Sequence, residues 1–170
     1  CPHCAHFVAE GTAPLKAGWV AKGLVAVEVR HLVRDRYDLV AALLARCGGA
    51  AQFPGHHEAL FAAQQSWMEK AMALEGNPPD YPATMSQSAR MADTASRIGL
   101  VALMAKRGII PQRSRACLAD IKAQESVLAM TRRATQEDRV TGTPSFILDG
   151  ALTDAHDWAS LRPLLPTAAK

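Results

Sequence analysis

The sequence predicts an α/β chain in which two strand-bearing ends flank a long all-α stretch. Three observations carry this. Residues 24–32 are rich in β-branched side chains and begin as an unbroken apolar run, and residues 144–153 read as strand, two-residue turn and returning strand. Between them the apolar residues recur only at helical intervals.

In chain order, Cys4 to about Lys22 is helical, with Phe7, Val8, Leu15, Trp19 and Val20 at helical spacing, a break or kink marked by Gly11 and Pro14, and a stop at Gly23. Leu24 to Leu32 then reads as a buried strand becoming half exposed at its end. Asp38 is placed to cap a helix carrying Leu39, Leu43 and Cys47, which stops at Gly48 and Gly49. Residues 54–75 give a further helix through Leu60, Phe61, Trp67, Met68 and Met72, and the Pro-rich run from Gly76 to Pro82 is a loop. Ser86 or Ser88 opens an alanine-rich helix that Gly108 closes. Pro111 and Ser114 introduce another, with Leu118, Ile121, Glu125 and Leu128 on one face.

Strand character returns at Pro144 to Leu148, followed by Asp149-Gly150, a common hairpin turn, and by Ala151 to Thr153. Asp154 is expected to cap a last short helix with Trp158, Leu161, Leu164 and Leu165. Neither end has enough strands to stand alone, so the order implies one discontinuous α/β domain, 1–37 and 137–170, around a helical insertion domain, 38–136.

Composition narrows the function. At 170 residues the chain can bury one sizeable core, and 49% hydrophobic with 21% charged residues excludes a disordered chain. The net charge of +3 comes from scattered pairs such as Lys106-Arg107 and Arg132-Arg133. With only 5% aromatic residues no stacking run accompanies them, so solvated helix faces are expected and no nucleic-acid partner. The longest apolar runs, Leu24–Val27 and Leu39–Ala45, are far shorter than the roughly 20 residues that a membrane helix needs.

Chemistry concentrates in Cys1-Pro2-His3-Cys4. Two thiols separated by two residues at the head of a helical pattern are the spacing of a redox couple or of half a metal site. At a helix N-terminus, the unpaired N–H groups and the aligned peptide dipoles favour thiolate over thiol. Pro2 suits the first helical position, and His3 would further stabilise the anion by charge or by donating to it. Cys4, one turn on, can reach Cys1 and should be more shielded, so Cys1 is the attacking or attacked sulfur and Cys4 the resolving one.

This dithiol helix, together with Val140-Thr141-Gly142-Thr143-Pro144 before a strand and an Asp-Gly hairpin, resembles the DsbA family of thiol-disulfide oxidoreductases. The likeness extends over essentially the whole chain. It implies a thioredoxin-like fold interrupted by the helical insertion. It also implies a strand before the Cys1 helix, which would lie outside these 170 residues, as would a signal peptide for a periplasmic protein.

By the same resemblance the Thr143–Pro144 bond is cis and packs beside the cysteines, with Gly142, Thr143 and Pro144 binding an extended substrate. The implied reaction is oxidation of reduced, unfolded or partly folded proteins through a mixed disulfide at Cys1. A membrane quinone-linked, DsbB-like partner would restore the enzyme, which is expected to act as a monomer without a cofactor. An isomerase or reductase using the same dithiol is the alternative within enzymes. A peptide-binding or chaperone module is the alternative outside them, against which the two intact cysteines speak.

Four cysteines allow three pairings. Cys1–Cys4 with Cys47–Cys117 is preferred because Cys47 ends one insertion helix and Cys117 starts another, and because the resemblance extends to some members of the family with a second bridge there; two free buried thiols stay open as the other reading. His6 with His3, Cys1 and Cys4 could supply metal ligands, but no second ligand pair follows and no metal is expected. His56-His57-Glu58 is expected as a solvated helix start, His31 and His156 as surface residues, and the methionines as core or rim packing.

Overall fold

The computed structural model describes residues 1–167. The chain divides into two compact units, Cys1–Arg30 with Arg132–Lys170, and His31–Thr131. The last three residues of the 137–170 piece lie outside the described ones.

In the first unit, helix α1 (Pro2–Leu15) runs without a break through Gly11 and Pro14 and passes into a π-helical turn, Lys16–Val20. Gly11 serves close packing instead of a kink, since a Cβ there would meet the Phe7 ring at 2.8 Å. Gly23, at φ +68°, ends the turn in the left-handed conformation that glycine adopts without strain. The expected strand over Leu24–Leu32 is not one. A strand exists only through a ladder to a neighbour, and among the described residues the sheet consists of β1 (Ile147–Leu148) and β2 (Ala151–Leu152) paired with each other. Val25 of that run packs on the Leu15 core, whereas Val27 is 52% exposed.

The hairpin itself has Ile147 opposite Leu152 and Leu148 opposite Ala151. Asp149 and Gly150 both take positive φ, 49° and 85°, as a two-residue primed turn requires. The last helix, α9 (Trp158–Leu161), is capped by Asp157, not by Asp154. The Asp157 carboxylate accepts the Ser160 N–H, and the Ser160 hydroxyl returns to the cap backbone. Leu15, Ala155, Leu161 and Leu165 form this unit's core. Phe7 packs on Phe146 with ring centroids 4.6 Å apart, and Trp19 meets Trp158 edge-on at 5.8 Å.

The second unit is a helical bundle made of α2 (Arg36–Arg46), α3 (Phe53–Ala62), α4 (Gln64–Gly76), α5 (Gln87–Arg97), α6 (Leu100–Ala105), α7 (Pro111–Ala119) and the part of α8 (Ile121–Gln136) up to Thr131. Leu43, Leu44, Ile98, Leu100, Met104 and Leu118 are fully enclosed in its core; each stabilises the fold by about 1.5 to 3 kcal/mol. Met91 is buried with them, while Met72 is 63% exposed.

Three of the long helical stretches are each two helices. The chain breaks at Ala63, at Gly99 with φ +85°, and at Asp120, whose extended ψ of 101° stops α7 and whose carboxylate accepts the Ala123 N–H to start α8. That last break resets the helical phase. Gln124 and Val127 turn inward, whereas Ile121, Glu125 and Leu128 of the expected face are exposed.

Asp35, one turn earlier than Asp38, caps α2 by accepting the Tyr37 and Asp38 N–H groups at 2.8 Å. Asp38 lies in the first turn and pairs with Arg34 at 2.8 Å. Ser86 caps α5 as the sequence implies.

The histidines of this unit do not lie on the surface. His56 is 2% exposed and its Nδ1 donates to the Ala45 carbonyl at 3.3 Å; His57 packs between Phe53 and Phe61. His31 stands edge-on to Phe53, and its buried Nε2 has no hydrogen-bond partner. Desolvation, followed by the positive fields of His57 and Arg46, lowers its pKa to about 4. The aromatic neighbours of His31 and His57 lie in the fold and not in a pattern that the sequence reveals.

Candidate active site

Cys1 is the N-cap of α1, Pro2 occupies the first helical position, and Cys4 sits one turn in with its Cα 5.3 Å from that of Cys1. A disulfide joins the two. The Cys4 backbone N–H donates to the Cys1 sulfur at 3.2 Å, so this sulfur does for the helix what a Ser or Asp side chain usually does at that position. An acceptor there faces the positive end of the helix dipole, which favours a negative charge on it.

From the far end of the chain, the loop before β1 reaches the same sulfur. The Thr143 hydroxyl donates to Cys1 Sγ at 3.2 Å, and the Thr143 carbonyl oxygen lies 3.2 Å from it. A disulfide sulfur carries no hydrogen, so the carbonyl contact becomes a hydrogen bond only when Cys1 is a thiol. The Thr143–Pro144 peptide is cis. The Ser145 hydroxyl donates to the Gly142 carbonyl at 2.8 Å and closes the loop on itself.

Cys1, Pro2, Cys4, Gly142, Thr143 and Pro144 therefore lie in one place. Both cysteines are half-buried, so shielding does not distinguish them as the sequence suggests; the donors converging on Cys1 do. His3 is exposed on the first turn, and His6, also exposed, pairs with Glu10 at 3.1 Å. No group of three metal-ligating side chains occurs among the described residues.

Two residues of the site escape sequence reasoning. Ser145 stands in the motif but carries no distinguishing spacing, and His156, read as a surface residue, is exposed yet has its Nδ1 3.0 Å from the Pro144 carbonyl. Only the fold brings the latter pair together.

Cys47 and Cys117 are bridged as well, with Cα atoms 5.6 Å apart. This disulfide lies within the helical unit, where it closes a loop of 70 residues.

A family model described as thioredoxin matches residues 1–166. A protein of Rickettsia bellii, provisionally named protein-disulfide oxidoreductase, is 26% identical over 169 residues, 99% of this chain and 56% of its own length. A protein of Rickettsia typhi with the same provisional name is 27% identical over 91% of this chain and 49% of its own length. The chain thus spans about half the length of the curated relatives it matches. Among solved structures, a protein-disulfide isomerase from Novosphingobium aromaticivorans superposes with a TM-score of 0.83 at 34% identity, over 96% of this chain and 84% of that one.

Proposed function

The chain belongs to the thioredoxin family, with a thioredoxin-like fold that carries a helical insertion, and from that membership we propose that it is a protein-disulfide oxidoreductase that oxidises substrate proteins. The observation that carries this reading is the convergence of the Cys4 N–H and the Thr143 hydroxyl on the Cys1 sulfur. Both donors favour the thiolate of reduced Cys1, and a sulfur stabilised as an anion is a good leaving group.

The reaction balances with two electrons. A substrate thiolate attacks Cys1 Sγ and forms the mixed disulfide; the Cys1–Cys4 bond breaks and its electron pair leaves on Cys4. A second substrate thiolate then attacks the substrate sulfur of the mixed disulfide and expels Cys1 as a thiolate. The substrate leaves with one new disulfide, and the enzyme keeps two electrons and, once Cys4 is protonated, one or both protons of the substrate thiols. A membrane quinone-linked partner of the DsbB kind would remove those electrons. Thr143 and its neighbours Gly142 and Pro144 would hold the substrate backbone beside Cys1.

The Cys47–Cys117 bridge supports an oxidising compartment such as the periplasm, where disulfides persist. A second reading, isomerase activity through the same dithiol, is favoured by the name of the structural relative. It requires the reduced enzyme to attack a wrong substrate disulfide.

Redox and rate measurements separate the two. The Cys1–Cys4 equilibrium with glutathione should lie far toward the reduced enzyme, and thiolate absorbance should persist to acidic pH. A couple as reducing as thioredoxin, with an ordinary thiol titration, would sink the oxidase reading. Faster rescue of a scrambled substrate than oxidation of a reduced one would favour the isomerase.

A further inference from the structure

The Pro144 carbonyl accepts a hydrogen bond from the ring of His156, with Nδ1 at 3.0 Å. A carbonyl oxygen has no proton to give, so Nδ1 must carry one. The contact thereby selects the Nδ1–H tautomer of a neutral ring.

His156 is held firmly for an exposed residue. Its backbone N–H donates to the Ser160 hydroxyl at 3.2 Å, inside the capping box that Asp157 and Ser160 form at the start of α9. Ala155 before it is 2% exposed, and Thr153 donates to the Phe146 carbonyl through both its N–H and its hydroxyl, each at 2.9 Å. The segment 153–157 therefore grips the loop 143–146 at two carbonyls, those of Pro144 and Phe146. The neighbouring residue on the loop's other side is Thr143, which donates to Cys1.

We infer that His156 is a positioning residue: by holding the Pro144 carbonyl it fixes where the Thr143 backbone stands beside Cys1, and so governs how a substrate backbone is engaged beside the sulfur. The consequence for substrate rests on reading the Thr143–Pro144 loop as the substrate-binding element. His156 touches neither cysteine and takes no part in sulfur exchange.

The test uses the whole chain and a synthetic peptide with two reduced cysteines, with glutathione disulfide as terminal oxidant. His156→Ala should raise KM for the peptide by about three- to tenfold, the loss expected for one hydrogen bond, while kcat changes by less than about twofold. His156→Asn, whose amide N–H stands close to the place of Nδ1, should recover most of that loss. His156→Gln, with its donor one bond farther out, should not. Equal KM values for the Ala and Asn variants, or a fall in kcat with KM unchanged, would overturn the inference.

Nitrogen NMR of the wild-type chain in alkaline buffer gives a readout independent of activity. The proton should reside on Nδ1 of His156, and the Thr143 amide resonance should move in the Ala variant but not in the Asn variant. A ring protonated only on Nε2, or an unmoved Thr143 amide, would refute the contact or its reach. A wild-type chain that fails to oxidise the peptide would sink the proposed activity, while these resonances would still decide the positioning role.

Discussion

The hydroxyl of Thr143 donates to the sulfur of Cys1 at 3.2 Å across 142 residues of chain. A hydrogen bond to a charged acceptor contributes about 1.5 to 3 kcal/mol, and both residues are half-buried, so the lower end applies here. Thr143→Val keeps the branched shape and removes the donor. The reduced enzyme should then lose thiolate stability, shifting its equilibrium with glutathione about tenfold toward the disulfide, the equivalent of about 1.4 kcal/mol. Thiolate absorbance should also emerge at higher pH. An unchanged equilibrium would mean that the hydroxyl does not stabilise the anion.

The Cys4 N–H donates to the same sulfur from the helix side, so the two sulfurs should have different fates. With Cys4→Ser and a disulfide-bonded peptide, the Cys1 thiolate attacks the peptide disulfide and expels one peptide thiolate; no Cys4 sulfur is present to resolve the mixed disulfide, so it should accumulate and be found by mass spectrometry on the fragment containing Cys1. Cys1→Ser should yield no adduct and no transfer. An adduct that forms on Cys4 in the wild-type chain under the same conditions would reverse the roles.

The second disulfide should act on stability and not on exchange. Closing a loop of 70 residues between Cys47 and Cys117 restricts the unfolded chain and stabilises the native one by roughly 4 kcal/mol in the chain-entropy picture. Replacing both cysteines by Ala should lower unfolding free energy by about 2 to 4 kcal/mol in urea titrations while the Cys1–Cys4 equilibrium with glutathione stays where it was. A loss of oxidising power in that variant would show that the bridge takes part in the redox chemistry.

What the sequence revealed depended on how local the cause was. The dithiol helix start, the Asp-Gly turn and the Ser86 cap are each written in a few adjacent letters, and each stands in the structure. The Leu24–Leu32 run has the composition of a strand, but pairing depends on a neighbour that no local pattern specifies. Helix breaks at Ala63, Gly99 and Asp120 were hidden because apolar spacing continued across them with only the phase altered. Asp35 and Asp157 cap where the sequence points to Asp38 and Asp154, since an acidic residue three positions away offers the same chemistry and only the backbone conformation decides. In the site, Cys1 and Thr143 were legible from their motifs, whereas the His156 contact was not.

His31 should make the fold sensitive to acid. Burial against Phe53 leaves its Nε2 unpartnered and lowers its pKa from 6.5 to about 4, with His57 and Arg46 adding positive field. Between those two values the unfolded chain binds a proton that the folded chain refuses, so stability from this group is complete above pH 6.5 and is lost as pH falls toward 4. The full span corresponds to roughly 3 kcal/mol, less where water reaches part of the ring. His31→Leu removes the titration and the unpaired nitrogen together. Its unfolding free energy should match or exceed that of the wild type at neutral pH and should decline less steeply on acidification. Carboxylates titrate in both chains, so the difference between the two pH curves isolates His31; curves that run parallel from pH 6.5 down to 4 would show that the ring is not the acid-sensitive group.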